Sequence, residues 1–112
     1  MTEKSKKYLS DIALAIELIE EFIADVSDFS AYENDRKTQS VVERQLAIIG
    51  EALNHFRKVE SEINIEHDKQ IVNLRNRLVH AYDSLDNSII WAILNKHSQP
   101  LKLEIMTLID KE

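Results

Sequence analysis

Arg75, Asn76, Arg77 and His80 lie within one six-residue stretch and bring together two kinds of chemistry. A guanidinium holds a phosphate, or negative charge developing in a transition state, through paired charge-assisted donors. An imidazole titrates near neutrality, so it can take a proton or return one. Asn76, four residues before His80, can orient the ring or contact a polar substrate, while Lys69 and Arg77 add local positive charge. If the segment is helical, Leu74, Leu78 and Ala81 face a core, Asn76, His80 and Asp83 form a second stripe, and Arg75, Val79 and Tyr82 a third. Arg75 and His80 then stand roughly 140° apart around the axis. They converge only if the helix bends, if long side chains reach round it, or if a second subunit completes the site. Alone, Arg-x-x-x-x-His is short enough to recur by chance, and the same residues also describe an exposed polar face with an ordinary histidine.

The remaining histidines carry less. Glu51 and His55 share a helical face and could ligate a metal, but they read more simply as a surface pair, and no second Glu-x-x-His helix accompanies them. His67, between Glu66 and Asp68, reads as part of a polar loop or helix start. His97, ahead of Pro100, suits a helix C-terminus, where a cation meets the negative end of the dipole. With no cysteine present, a disulfide framework, a redox CxxC pair and a thiolate zinc site are all excluded. No metal site and no cofactor are expected.

The elements that must hold these groups are helical. Leu9, Ile12, Ile16, Ile19, Ile23 and Val26 predict a first helix over about 5–27. Residues 29–35, mixed and polar, read as a connection. Val42, Leu46, Ile49, Leu53 and Phe56 predict a second helix over about 38–59, with Gly50 inside it, where close helix approach is the simplest reason for a glycine. Ile71, Leu74, Leu78, Ala81 and Leu85 predict a third, over about 68–82. Ile89, Ile90, Ile93 and Leu94 mark a fourth capped by Asp86, and Pro100 suits the first turn of a fifth carrying Leu101, Ile105 and Leu108. One glycine and one proline favour long helices over a turn-rich fold. Short connections make neighbours antiparallel, so the expectation is an all-α antiparallel bundle of four to five helices, with residues 1–112 as a single domain.

A hydrophobic fraction of 44% suffices for one core at this length, without staples. The net charge of −6 argues, by itself, against a nucleic-acid partner, yet leaves room for a locally basic groove. The longest apolar run, Ile89 to Leu94, is far below the roughly 20 residues that span a bilayer. Nor does the N-terminal stretch continue into the apolar segment of a signal peptide. A cytoplasmic protein without a membrane partner is therefore expected.

The run Leu74-Arg75-Asn76-Arg77-Leu78-Val79-His80-Ala81-Tyr82 resembles the Arg-x(4–6)-His motif of HEPN domains, in particular the HepT-like toxin branch, where the motif extends to His-x-Tyr. Upstream, Ile49-Gly50-Glu51-Ala52 is similar to that branch's Ile-Gly-Glu-Ala helix. Ile89-Ile90-Trp91 and Pro100-Leu101 match the pattern of its C-terminal helices, so the likeness spans nearly the whole chain in order. The resemblance implies a helical homodimer whose two motifs line a shared cleft. It implies a metal-independent endoribonuclease acting as toxin of a type II toxin–antitoxin system, with a minimal nucleotidyltransferase as antitoxin. On this sequence it makes Arg75 and His80 catalytic, Asn76 the polar residue after the arginine, and Tyr82 the tyrosine that the antitoxin would adenylylate. The chemistry is coherent: a deprotonated 2′-hydroxyl of RNA attacks the adjacent phosphorus, His80 moves protons, and Arg75 holds the phosphate. Two other readings remain open, a non-catalytic substrate- or regulator-binding partner of a nucleotidyltransferase, and a plain dimerisation bundle.

Overall fold

Thr2 opens the first helix by accepting a hydrogen bond from the Ser5 amide at 3.0 Å, the usual N-cap solution for an unpaired first-turn donor. This structure, a computed structural model, describes residues 1–81 and 85–111. Five helices follow in order: α1 (Glu3–Ile23), α2 (Phe29–Glu33), α3 (Arg36–Val59), α4 (Lys69–His80) and α5 (Asn87–Asp110). No strand occurs among the described residues.

The apolar stripes meet as their periodicity requires. Leu9, Ile12, Ile16 and Ile19 of α1 are buried with Val42, Leu46, Ile49, Leu53 and Phe56 of α3, and Leu94, Leu101 and Ile105 of α5 close the same core. Polar ties report the helix directions. Glu60, capping the end of α3, accepts from Ser5 and from the Thr2 amide at the start of α1, so α1 and α3 run antiparallel. Lys102 of α5 donates to Glu20 near the end of α1 at 2.8 Å. Arg57, late in α3, donates to Asp68 just before α4. The fold is thus the expected all-α antiparallel bundle.

Four boundaries differ from the sequence reading. The first helix ends at Ile23 rather than about 27, with Ala24 as its C-cap, and Val26 packs on the core from the connection that follows. Residues 29–33 form a short helix rather than a plain connection. Asp28 caps it by accepting from the Ala31 amide at 2.9 Å, and Tyr32 is wholly buried with its ring 5.2 Å from that of Trp91. The third predicted helix ends at His80 rather than 82: Ala81, at φ −147° and ψ 46°, leaves helical geometry and is exposed. The fourth and fifth predicted helices are one continuous helix, α5, with Pro100 inside it. A mid-helix proline removes a backbone hydrogen bond and costs about 3 kcal/mol. The buried row Ile90, Leu94, Ser98, Leu101 and Ile105 runs straight through it, however, and the packing of that row outweighs the local cost. His97 accordingly lies in the body of α5 and not at a helix end. Asp86 does cap α5, accepting from the Ser88 amide at 2.6 Å.

Candidate active site

α4 carries the candidate residues, and its first turn is tied down. Asp68 is buried and its carboxylate accepts from Arg57, so it makes no side-chain cap bond to its own helix. Just before it, Glu104 of α5 accepts from the amides of Glu66 and His67 at 2.7 and 2.9 Å and faces the His67 Nδ1 at 3.1 Å. His67 is therefore a loop residue held by a carboxylate. Ile71, Val72 and Leu74 seat the helix on the core, while Leu78 is half-buried and Val79 is 51% exposed.

Arg75 is half-buried, and its stem crosses α3 at Gly50. A Cβ added at Gly50 would stand 2.4 Å from the Arg75 Cγ and 2.6 Å from its Cδ. The Arg75 Nε is buried without a hydrogen-bond partner, and its Nη1 donates to the Asn76 Oδ1 at 3.2 Å. The guanidinium is thus held by its stem on one side and by a neighbouring carboxamide on the other. The Asn76 carbonyl oxygen is engaged by the arginine. Sequence reasoning expected close approach at Gly50; it did not identify the approaching group as Arg75.

His80 is exposed and is the last residue of α4. Arg77 and His80 both occupy the last turn, where cations are favoured by the partial negative charge of the unpaired carbonyls. Arg77 also faces α5. Ser88, through its hydroxyl and then its amide, holds the Asp86 carboxyl below the usual carboxylate range, and the Arg77 charge adds to that effect. Lys69 opens α4, about 9 Å along the axis from Arg75 and roughly 120° around it, so it is not gathered into the same place. Tyr82 and Asp83 lie outside the described residues.

Because α4 is a regular α-helix from Lys69 to His80, a bend between Arg75 and His80 is not what unites them. Neither of the two larger surface clefts includes them. One, of about 460 Å³, lies between α2, α3 and α5 beside Phe29, Glu43 and Ser88, and the other, of about 600 Å³, beside His67, Pro100 and Leu103. Among the described residues Asn76, Val79 and His80 are exposed, whereas Arg75 is half-buried against α3. His55, the one histidine on α3, stacks on Tyr8 at 5.4 Å, and no cluster of three potential metal ligands occurs among the described residues.

Comparison with known proteins bears on what these residues do. Residues 12–108 match the family described as "Ribonuclease HepT-like". The chain is 39% identical over 106 residues to "Probable ribonuclease HepT" of Thermococcus cleftensis, covering 91% of this chain and 93% of that one. A "Putative RNase" of Methanocaldococcus jannaschii is 34% identical over 104 residues, with 89% and 92% covered. Another "Putative RNase", of Caldanaerobacter subterraneus, is 28% identical over 111 residues, with 96% of each chain covered. No solved structure matches.

Proposed function

Since this chain belongs to the ribonuclease HepT-like family, we propose that it is a ribonuclease, and more specifically a metal-independent endoribonuclease that uses Arg75 and His80. The observation that carries the assignment of residues is the seating of Arg75. Its Nε is buried and unpaired and its Nη1 donates to Asn76, an arrangement that costs the fold free energy and leaves the remaining guanidinium donors for a ligand. A phosphate fits the remaining donors in the paired geometry that arginine favours.

The mechanism follows from the groups present. An imidazole removes the proton of a 2′-hydroxyl, the oxygen attacks the adjacent phosphorus, and the 5′-oxygen leaves with a proton. The products are a 2′,3′-cyclic phosphate and a 5′-hydroxyl. Arg75 stabilises the charge that builds on the non-bridging oxygens. On one straight helix Arg75 and His80 are poorly placed to serve one phosphate, so the proposal includes a homodimer in which one subunit's Arg75 works beside its partner's His80. Exposed Val79, flanked by these residues in sequence, supplies apolar area for that contact.

The biological reading is that of a toxin in a type II toxin–antitoxin pair, neutralised by a minimal nucleotidyltransferase that transfers AMP from ATP to the Tyr82 hydroxyl with release of pyrophosphate, or that occludes the site by binding. Expression of the wild-type chain should arrest growth, and a neighbouring nucleotidyltransferase should relieve the arrest. The His80→Ala chain should not arrest growth. Equal growth of the two strains, with both proteins soluble, would favour the alternative of a non-catalytic partner subunit. The open setting of His80 on the single chain is the feature that keeps that alternative in view.

A further inference from the structure

Gly50 is the only glycine of the chain, it is buried, and it sits in the middle of α3. Its φ is not positive, so backbone conformation does not call for it. What its missing side chain provides is space, and the three atoms nearest that space all belong to one residue: Arg75 Cγ at 2.4 Å, Cδ at 2.6 Å and Cβ at 3.0 Å. The space left by the missing side chain is thus filled by the stem of a single α4 residue.

We propose that Gly50 is a positioning residue for RNA cleavage: it is the notch in which the Arg75 stem lies, and it sets the place at which the guanidinium meets phosphate. The proposal rests on the reading of Arg75 as the phosphate-holding group. The physical case has two parts. The severe overlaps of a methyl at position 50 are with Arg75 Cγ and Cδ, so relief requires either rotation about Cα–Cβ, which moves those two atoms but not Cβ at 3.0 Å, or movement of α4 away from α3. Rotation lifts Nε from its buried seat and takes Nη1 from Asn76. Movement of α4 carries Leu74, Arg75 and His80 together. Either route displaces the guanidinium by about 1 Å, a misplacement that can cost on the order of 100-fold in rate.

The test uses the full-length protein in four forms: wild type, Gly50→Ala, Arg75→Ala and the double variant. Cleavage of an RNA oligonucleotide is followed for kcat and KM, with thermal melting of each form alongside. The expected result is a fall in kcat of about 10- to 100-fold for Gly50→Ala. The double variant should cleave no more slowly than Arg75→Ala, because without Cγ and Cδ the methyl meets only the Cβ of residue 75, at 3.0 Å, and has little to displace. If Gly50→Ala lowers the melting temperature, the double variant should recover much of the loss for the same reason. Wild-type kcat in Gly50→Ala beside an inactive Arg75→Ala would overturn the proposal and leave the functional reading standing. A melting defect in Gly50→Ala that Arg75→Ala does not relieve would also overturn it by showing that Gly50 acts apart from Arg75. Wild-type cleavage by Arg75→Ala would instead remove the functional reading itself.

Discussion

At the level of single residues, the two proposed catalytic groups differ in what they cost the fold. His80 is exposed at a helix end, so His80→Ala should alter stability by no more than about 0.5 kcal/mol. Its cleavage rate should fall by about 10²–10⁴, the usual worth of a positioned acid or base. The check is a melting curve beside single-turnover cleavage; an active His80→Ala protein would remove His80 from the mechanism. Arg57 gives the opposite pattern. Arg57→Ala strips a buried carboxylate of its partner and should cost about 2 kcal/mol, read as a lower denaturation midpoint, with the catalytic groups untouched. Residue type and spacing made Arg75 and His80 candidates only, and the resemblance supplied the roles proposed for them. The sequence could not announce that Asp68 is buried or that Arg57 answers it, because a charged pair eleven positions apart across a loop has no periodic signature.

At the level of helices, the ends are held by carboxylates, and that makes them sensitive to acid. Asp35 caps α3, and Thr38, through its hydroxyl and then its amide, holds the carboxyl below the ordinary value of 3.8. Glu60 is held below 4.5 by the Ser5 hydroxyl and then the Thr2 amide, and Asp86 is likewise lowered by Ser88. A carboxyl whose value falls on folding contributes stability that is complete above the unfolded value and is lost as pH falls through the folded one. Melting temperature should therefore hold down to about pH 5 and drop below about pH 4. Asp35→Asn and Asp86→Asn should flatten that drop. The apolar stripes made four of these five helices legible, since a 3.6-residue period survives as long as one face is buried. Two junctions were not legible. Residues 28–33 are too few to display a period, and Pro100 looks like a boundary unless one knows that Leu94, Leu101 and Ile105 share one buried row.

For the whole molecule, the family and the bundle were readable from order and motif, whereas the relation between two copies is not written in one chain's periodicity. A composite site makes a sharp prediction. Arg75→Ala and His80→Ala proteins, each inactive alone, should regain activity when mixed and allowed to exchange subunits, because one of the two sites in a heterodimer has both residues intact. About a quarter of wild-type activity is the ceiling for an equal mixture of a twofold dimer. No recovery, with exchange shown by mass spectrometry, would place both groups in one subunit. Cleavage should also persist in EDTA, since no cluster of potential metal ligands accompanies the site among the described residues; loss with chelator and return with magnesium would replace the mechanism. The clasp that Glu104 makes across 37 residues to the His67 amide has a consequence of another kind. Residues 60–68 are the longest connection in the bundle, the sort of segment that proteases nick and whose amides trade protons with water quickly. With two successive amides held by one carboxylate, this loop should exchange on the timescale of the helices and resist limited proteolysis, until Glu104→Gln weakens the clasp and opens it to both.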